Sequence, residues 1–298
     1  MKMKSRIVSV GEVLWDLLPD GPQLGGAPAN FAGHARALGA EVTLVSRLGS
    51  DALGVDALRL LADRGLDLRA VTLDPIRPTG TVAVELSLEG QPQFRIQEAV
   101  AWDDLMVDAE HLSRIAKADA ICFGTLAQRS PASREVVRRC VESVSPAALR
   151  ICDINLRAPF YTAQGIEDSL RMANVLKLNE TELVDLAGQF GLTGSAEEQL
   201  AALAGQFGLH TVVLTLGAQG SRVFREGQWT FEPGRRVEVR DAVGAGDAFT
   251  AAFVLGILRG WPIQEIQRRA TDIAAFVCTQ PGATPDLPVT VTQPFLSI

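Results

Sequence analysis

The chain has 298 residues and is 47% hydrophobic, with 28 Lys and Arg against 35 Asp and Glu, a formal net charge of −7. Such a composition excludes a disordered chain, and the length allows one large domain or one large and one small. An acidic chain without a long basic run argues against binding nucleic acid by phosphate neutralisation, while leaving room for one local anion site.

In chain order, residues 7–10 are a β-branched run ending at Gly11, predicted as a strand. Residues 14–18 and 23–24 read as short strands around a Pro19-Asp20-Gly21 turn. Residues 27–38 are alanine-rich and helical. Pro28 sits where a missing N–H costs little, and Gly39 sits where a C-cap is expected. A strand over 42–46 and a helix over 52–64, stopped by Gly65, follow.

Residues 79–88 break the rhythm. Val82, Val84, Leu86 and Leu88 fall on one face at period two, and Gly90 and Pro92 turn the chain into residues 93–97. This predicts a hairpin with one apolar face, which a ligand site or a second subunit must cover. Strands are then predicted over 120–123, 149–153, 175–178 and 211–216, and helices over 131–143, 166–172, 180–187 and 196–207. Several strands are continuous apolar runs, as expected when both faces are covered. The alternation predicts an α/β fold with a mainly parallel sheet between helices, in one domain over 1–298. The two irregular stretches, near 12–25 and 78–100, are lid insertions.

Cys122, Cys140, Cys152 and Cys278 are far apart, as are His34, His111 and His210. A Cys/His zinc site is not expected; buried thiols in a reducing cytosol are. Lys2, Lys4 and Arg6 precede an apolar run that Glu12 and Asp16 interrupt early, so no secretory signal is read. The longest strongly apolar stretch, 251–258, is far short of the roughly 20 residues a membrane span needs. A cytoplasmic protein without a membrane partner is expected.

The sharpest segment is Asp241-Ala-Val-Gly-Ala-Gly-Asp247, followed by an apolar helix over 248–259. Small residues leave backbone N–H groups open where a helix begins, and the helix dipole adds positive potential. Asp247 directly after this loop suits phosphoryl transfer: amides hold charge on the moving group while a carboxylate takes the proton of the attacking hydroxyl. Alone, Asp247 reads as an ordinary first-turn helix acid. The second segment is Gly25-Gly-Ala-Pro-Ala-Asn30, again entering a helix. Its glycines permit close backbone approach to a ligand, and Asn30 offers donor and acceptor to a polyol.

In order and content, these segments, about 200 residues apart, resemble the two signatures of the ribokinase (PfkB) family of sugar kinases. The resemblance extends through Gly11-Glu12 with Asp16, Asp153-Ile-Asn155-Leu-Arg157, Asn179-Glu-Thr-Glu182, Thr215-Leu-Gly217-Ala-Gln-Gly220 and Gly282-Ala283. Gly11-Glu-Val-Leu-Trp-Asp16 together with the glycine pair is most similar to the fructokinase branch.

The resemblance implies a ribokinase-like three-layer αβα sandwich with a small β-sheet lid. It implies Asp247 as catalytic base and the amides of Gly244, Ala245 and Gly246 as anion hole. Asp16, Gly25, Gly26 and Asn30 then line the sugar site, with Arg95 on the lid and Arg157 near sugar or phosphate. Asn179, Thr215, Gly217, Gly220 and Gly246 border the nucleotide. Glu182 organises Mg²⁺ through water; read without the family, Asn179 and Glu182 are a helix-capping pair. Asp241 and Val243 occupy the positions of a monovalent-cation (K⁺) site, and Ala242 replaces a usual hydroxyl. Trp102 is read as sugar-stacking or, more simply, as hinge core.

The implied reaction is ATP-dependent phosphorylation of a sugar, D-fructose first. 2-Keto-3-deoxygluconate, ribose or a nucleoside are alternative acceptors, and a silent sugar- or nucleotide-binding regulator is the non-kinase alternative. A dinucleotide oxidoreductase is excluded, because Gly11-Glu-Val-Leu is no G-x-G-x-x-G. A homodimer paired through the lid is the expected assembly.

Overall fold

The computed structural model describes residues 4–86 and 92–296. Strand β1 (Arg6–Val10) leads into the hairpin β2 (Leu14–Leu18) and β3 (Gly21–Gly25), which opens helix α1 (Ala27–Ala37). Then come β4 (Glu41–Gly49), α2 (Ala52–Asp63), β5 (Val71–Asp74), β6 (Gly80–Leu86) and β7 (Pro92–Ile96). After α3 (Ala109–Ile115), β8 (Ala120–Phe123), α4 (Pro131–Ser143), β9 (Leu149–Asp153), α5 (Ala163–Met172) and β10 (Val175–Asn179) alternate. Helices α6 (Glu180–Phe190) and α7 (Ala196–Phe207) precede β11 (Thr211–Thr215) and the hairpin β12 (Gly220–Arg225) and β13 (Gln228–Pro233). The chain ends in α8 (Ala245–Leu258), α9 (Ile263–Cys278) and α10 (Val289–Leu296).

The main sheet has nine strands in the order β13-β12-β11-β10-β9-β8-β1-β4-β5. It is parallel from β11 to β5, and β12 and β13 extend it antiparallel. Alternate side chains of each strand enter different cores, as a period of two requires. Val8, Val10, Ile121, Phe123, Leu176 and Leu178 pack with residues of α4, α5, α6 and α7. Ile7, Ala120, Cys122, Ile151, Val175 and Val213 pack with residues of α1, α2, α8 and α9. The three expected layers are therefore present, and the continuous apolar runs reflect burial on both faces. Helix α8 is buried along Ala248 to Gly256, which explains why its sequence shows no polar face.

The small sheet has the order β3-β2-β6-β7, with β2 and β6 parallel. It joins the two insertions read from the sequence. Pro92 belongs to β7, opposite Leu86, rather than to the turn. Of the expected apolar face, Val82 is buried. The side chains of Val84 and Leu86, and residues Leu88 and Gly90, lie outside what is described. Trp102 is fully buried beneath the Arg129 guanidinium, 3.9 Å from its ring, so the hinge-core reading holds and no sugar can stack on it. All four cysteines are free thiols; Cys122, Cys140 and Cys152 are buried. No helix of the described residues is long and apolar enough to cross a membrane.

Candidate active site

The starts of α1 and α8 meet at the carboxyl edge of the sheet, where ligands bind in open α/β folds. Asn30, on the first turns of α1, donates from Nδ2 to Asp247 Oδ2 at 2.9 Å across 217 residues of sequence. Asn30 is buried, and its Oδ1 has no partner among the described residues. The approach to α1 is fixed by hydroxyls in the core: Ser9 Oγ donates to Pro28 O and Ser46 Oγ to Gly11 O, each at 2.7 Å. Gly26 is the N-cap of α1, and the Asp16 carboxylate lies over Gly25, where any Cβ would collide with it.

Helix α8 has Gly244 as N-cap with φ +78°, and no side chain caps it. A Cβ at Gly244 would strike the carbonyl of Ala283, so both backbone conformation and space demand glycine. Ala283 O in turn bonds His34 Nε2 on α1 at 3.0 Å. Burial holds the His34 imidazole down to about 4, so it is the neutral ring that donates here. The amides of Gly244 and Gly246 meet no acceptor among the described residues, whereas Ala245 N–H already reaches Ala242 O at 3.3 Å. The Asp241 carboxylate accepts from Val243 N and Gly282 N, both at 3.0 Å, and so braces the loop. Val243 is exposed.

Carboxylates and cations crowd this edge. Asp247 is partly open toward the site, yet desolvation, followed by the charge of Asp153, pushes its carboxyl up to about 7. The hydrogen bond from Asn30 and the charges of Lys177 and Arg157 oppose that rise. Glu12 is buried, and desolvation raises its carboxyl to about 7 as well. Asp16 is raised by burial against the pull of Arg157, with Asp241 adding to the rise. The exposed Arg157 thus acts on Asp16, Glu12 and Asp247 together.

Below the loop lies a buried ion pair that the sequence reading passed over. Lys177 on β10 is opposite Asp153 on β9 in register, and its Nζ donates to Asp153 Oδ1 at 3.0 Å. Thr250 Oγ1 donates to Asp153 Oδ2 at 2.8 Å and sits 2.9 Å from Gly246 O. The ammonium lies against Gly246, where an added Cβ would be 3.2 Å from Nζ.

Asn179 and Glu182 form the capping box of α6: Asn179 Oδ1 accepts from Glu182 N at 2.9 Å, and Glu182 Oε2 from Asn179 N at 2.8 Å. Glu182 Oε1 accepts from Leu156 N at 3.1 Å, and burial raises this carboxyl. Both oxygens are engaged by the main chain, so direct metal ligation by Glu182 does not fit. Among the described residues no group of three His, Cys, Asp or Glu side chains is arranged for a metal ion. Thr215 ends β11, with Oγ1 3.3 Å from Leu178 O, and Gly217 is exposed in the short turn before Gly220. Arg95 is exposed on β7 opposite Ala83; the cations that act most on Asp16, Glu12 and Asp247 are Arg157, Arg129 and Lys177.

Known proteins resemble this chain over most of its length. A family model described as pfkB family carbohydrate kinase matches residues 21–290. A fructokinase of Klebsiella pneumoniae is 28% identical over 96% of this chain and 97% of its own. The structure of an uncharacterized sugar kinase of Pyrococcus horikoshii in complex with ATP is similar with a TM-score of 0.80 at 28% identity, covering 93% of this chain and 94% of that one. A double mutant of the Vibrio cholerae O395 fructokinase, in its fructose-, ADP- and potassium-bound form, gives a TM-score of 0.82 at 27% identity over 100% of both chains. This chain belongs to the PfkB family of carbohydrate kinases, and it is a sugar phosphotransferase with the ribokinase-like fold.

Proposed function

We propose that the enzyme transfers the terminal phosphoryl group of ATP to the 6-hydroxyl of D-fructose, with Asp247 as general base. The observation that carries this reading is the contact of Asn30 with Asp247 beside an uncapped helix start. One segment offers a polyol-binding amide and the other an anion-binding N-terminus, and the carboxylate between them takes the hydroxyl proton. Of the three loop amides, those of Gly244 and Gly246 are free to hold charge on the phosphoryl group in transfer. Asp16, Gly25, Gly26 and Asn30 form the sugar side; Arg157 bridges toward the phosphate, and Arg95 belongs to the lid. Asn179, Thr215, Gly217 and Gly220 border the nucleotide. Mg²⁺ enters with ATP as part of the substrate, and Glu182 acts on it only through water. Any K⁺ beside the loop is held by main-chain carbonyls of the Asp241 to Val243 stretch, since the Asp241 carboxylate is committed to amides.

Kinase relatives of the Klebsiella and Vibrio type are fructokinases, which supports fructose over other acceptors. Arg157 among three carboxylates is the feature that would suit an acidic acceptor such as 2-keto-3-deoxygluconate. A sugar panel with ATP, read by coupled ADP release, decides between them. Fructose is expected to give the highest kcat/KM. A tenfold advantage for ketodeoxygluconate or ribose would reject the assignment.

The lid closes over the sugar and excludes water, which otherwise competes as phosphoryl acceptor. Leu17 on β2 is 39% exposed, and the lid sheets of two protomers are expected to cover each other. Light scattering at high concentration should then give a dimer mass; a monomer removes the pairing.

A further inference from the structure

Glu12 is a buried titratable group that this mechanism leaves unused. Only Gly11 separates it from the end of β1, and it is 3% exposed. No side chain among the described residues hydrogen-bonds its carboxyl, and its own backbone N–H opposes the rise that burial imposes on it. Glu12 lines one small cavity with Asp247, Asp153, Asn155 and Thr125. The cavity volume is about 10 Å³, room for about one water molecule, and Pro28, Phe31, Phe123 and Leu126 form an apolar wall beside these polar residues. Of the charges that act most on Glu12, Asp247 of α8 disfavours its ionisation, while Arg157 after β9 and Arg129 after β8 favour it; on Asp247, Asp153 of β9 disfavours ionisation, while Lys177 of β10 and Arg157 favour it. Desolvation outweighs the two arginines.

We propose that Glu12 is a positioning residue that shares one proton with Asp247 across this cavity and so sets the basicity of the catalytic carboxylate. The proposal rests on Asp247 being the base. Two acidic residues that line one small cavity and interact strongly ionise in two separated steps belonging to the pair, not to either residue. The resting pair holds one proton. In the reaction the acceptor O–H bond breaks as its oxygen bonds to phosphorus, the anhydride P–O bond to ADP breaks, and the hydroxyl proton passes to Asp247. The doubly protonated pair then releases one proton to water and returns to its resting state.

Glu12→Gln keeps the shape and stays neutral. For the parent enzyme, the acid limb of kcat/KM should spread over two ionisations. In Glu12→Gln it should narrow to one, with its midpoint lower by about half a pH unit or more. The carboxyl infrared band of the ligand-free protein supplies a readout without turnover. In Asp247→Asn, Glu12 should ionise at lower pH than in the parent, and in Glu12→Gln so should Asp247. Unchanged limb shape and midpoint in folded Glu12→Gln overturns the proposal, as does a Glu12 band in Asp247→Asn that titrates as in the parent. The second measurement leaves Glu12 in place, so it decides even where Glu12→Gln does not fold. Retained turnover in Asp247→Asn defeats the base assignment separately, because the infrared coupling does not depend on which carboxyl is catalytic.

Discussion

Asp247→Asn is expected to lower kcat by roughly 10²–10⁴-fold, the usual range for a positioned general base. Sugar affinity should fall only modestly, since Asn still accepts the hydrogen bond from Asn30. The stability of the variant should move the other way. The Asp247 carboxyl ionises near 7 in the fold, against a value of 3.8 when free. Between those limits the folded state binds more protons than the unfolded one, so this group's contribution to stability falls as pH rises. At pH 8 the ionised carboxylate costs the fold up to about 4 kcal/mol, discounted by its opening toward the site. The variant should therefore melt with the parent near pH 4 and above it at pH 8. His34 has the opposite sign in the same window: neutral in the fold down to about 4, it loses stability as pH falls from 6.5. Comparing variant with parent at each pH cancels that contribution. A mere helix-start aspartate would instead lose about 0.3–1 kcal/mol on substitution and keep its turnover. Near-normal kcat in the folded variant would sink the base assignment.

What the sequence made legible follows from how locally each feature is encoded. The parallel strands announce themselves because both faces are covered, leaving uninterrupted apolar runs such as residues 120–123. The lid hairpins show in turn residues and period-two alternation. Strands β12 and β13 leave no apolar run in the sequence, because Arg222 and Arg225 interrupt β12 and β13 is a half-exposed edge strand with polar residues such as Glu232. Helix α9 was not read either, although Ile266, Ala270, Ile273 and Val277 mark a clear buried stripe. In the site, Asn30 and Asp247 were found through their glycine-rich neighbours, not through their contact, which no spacing rule over 217 residues can supply. Glu182 forms the capping box that its spacing from Asn179 encodes, while its second oxygen accepts from Leu156 N, a contact that no local spacing signals. Lys177 did leave a signal. A lysine inside an apolar strand covered on both sides has no solvated face and must meet a buried anion on a neighbouring strand. Finding which anion required the β9–β10 register. Glu12 carries a weaker signal still: a carboxylate just past the glycine that ends a buried strand reads equally well as a loop acid.

Lys177→Met should produce the largest loss of stability in the site. The pair is buried, with side chains 11% and 10% exposed, so removing the ammonium leaves Asp153 as an uncompensated charge. Breaking such a pair from one side costs about 3–5 kcal/mol, whereas replacing both partners is often neutral. Asp153→Asn introduced together with Lys177→Met should therefore recover most of the loss, since Asn still accepts from Thr250. The chemistry should follow the charges. Lys177 lowers the Asp247 carboxyl and Asp153 raises it. Removing the cation alone should push the acid limb of kcat/KM to higher pH, and the double variant should bring it back toward the parent position. Turnover at alkaline pH tests the link to the loop, because Thr250 connects Asp153 to the Gly246 carbonyl at the start of α8. Thermal melts and pH profiles of the single and double variants make the measurement. If Lys177→Met melts with the parent and its acid limb stays in place, the buried pair neither compensates Asp153 nor tunes the base.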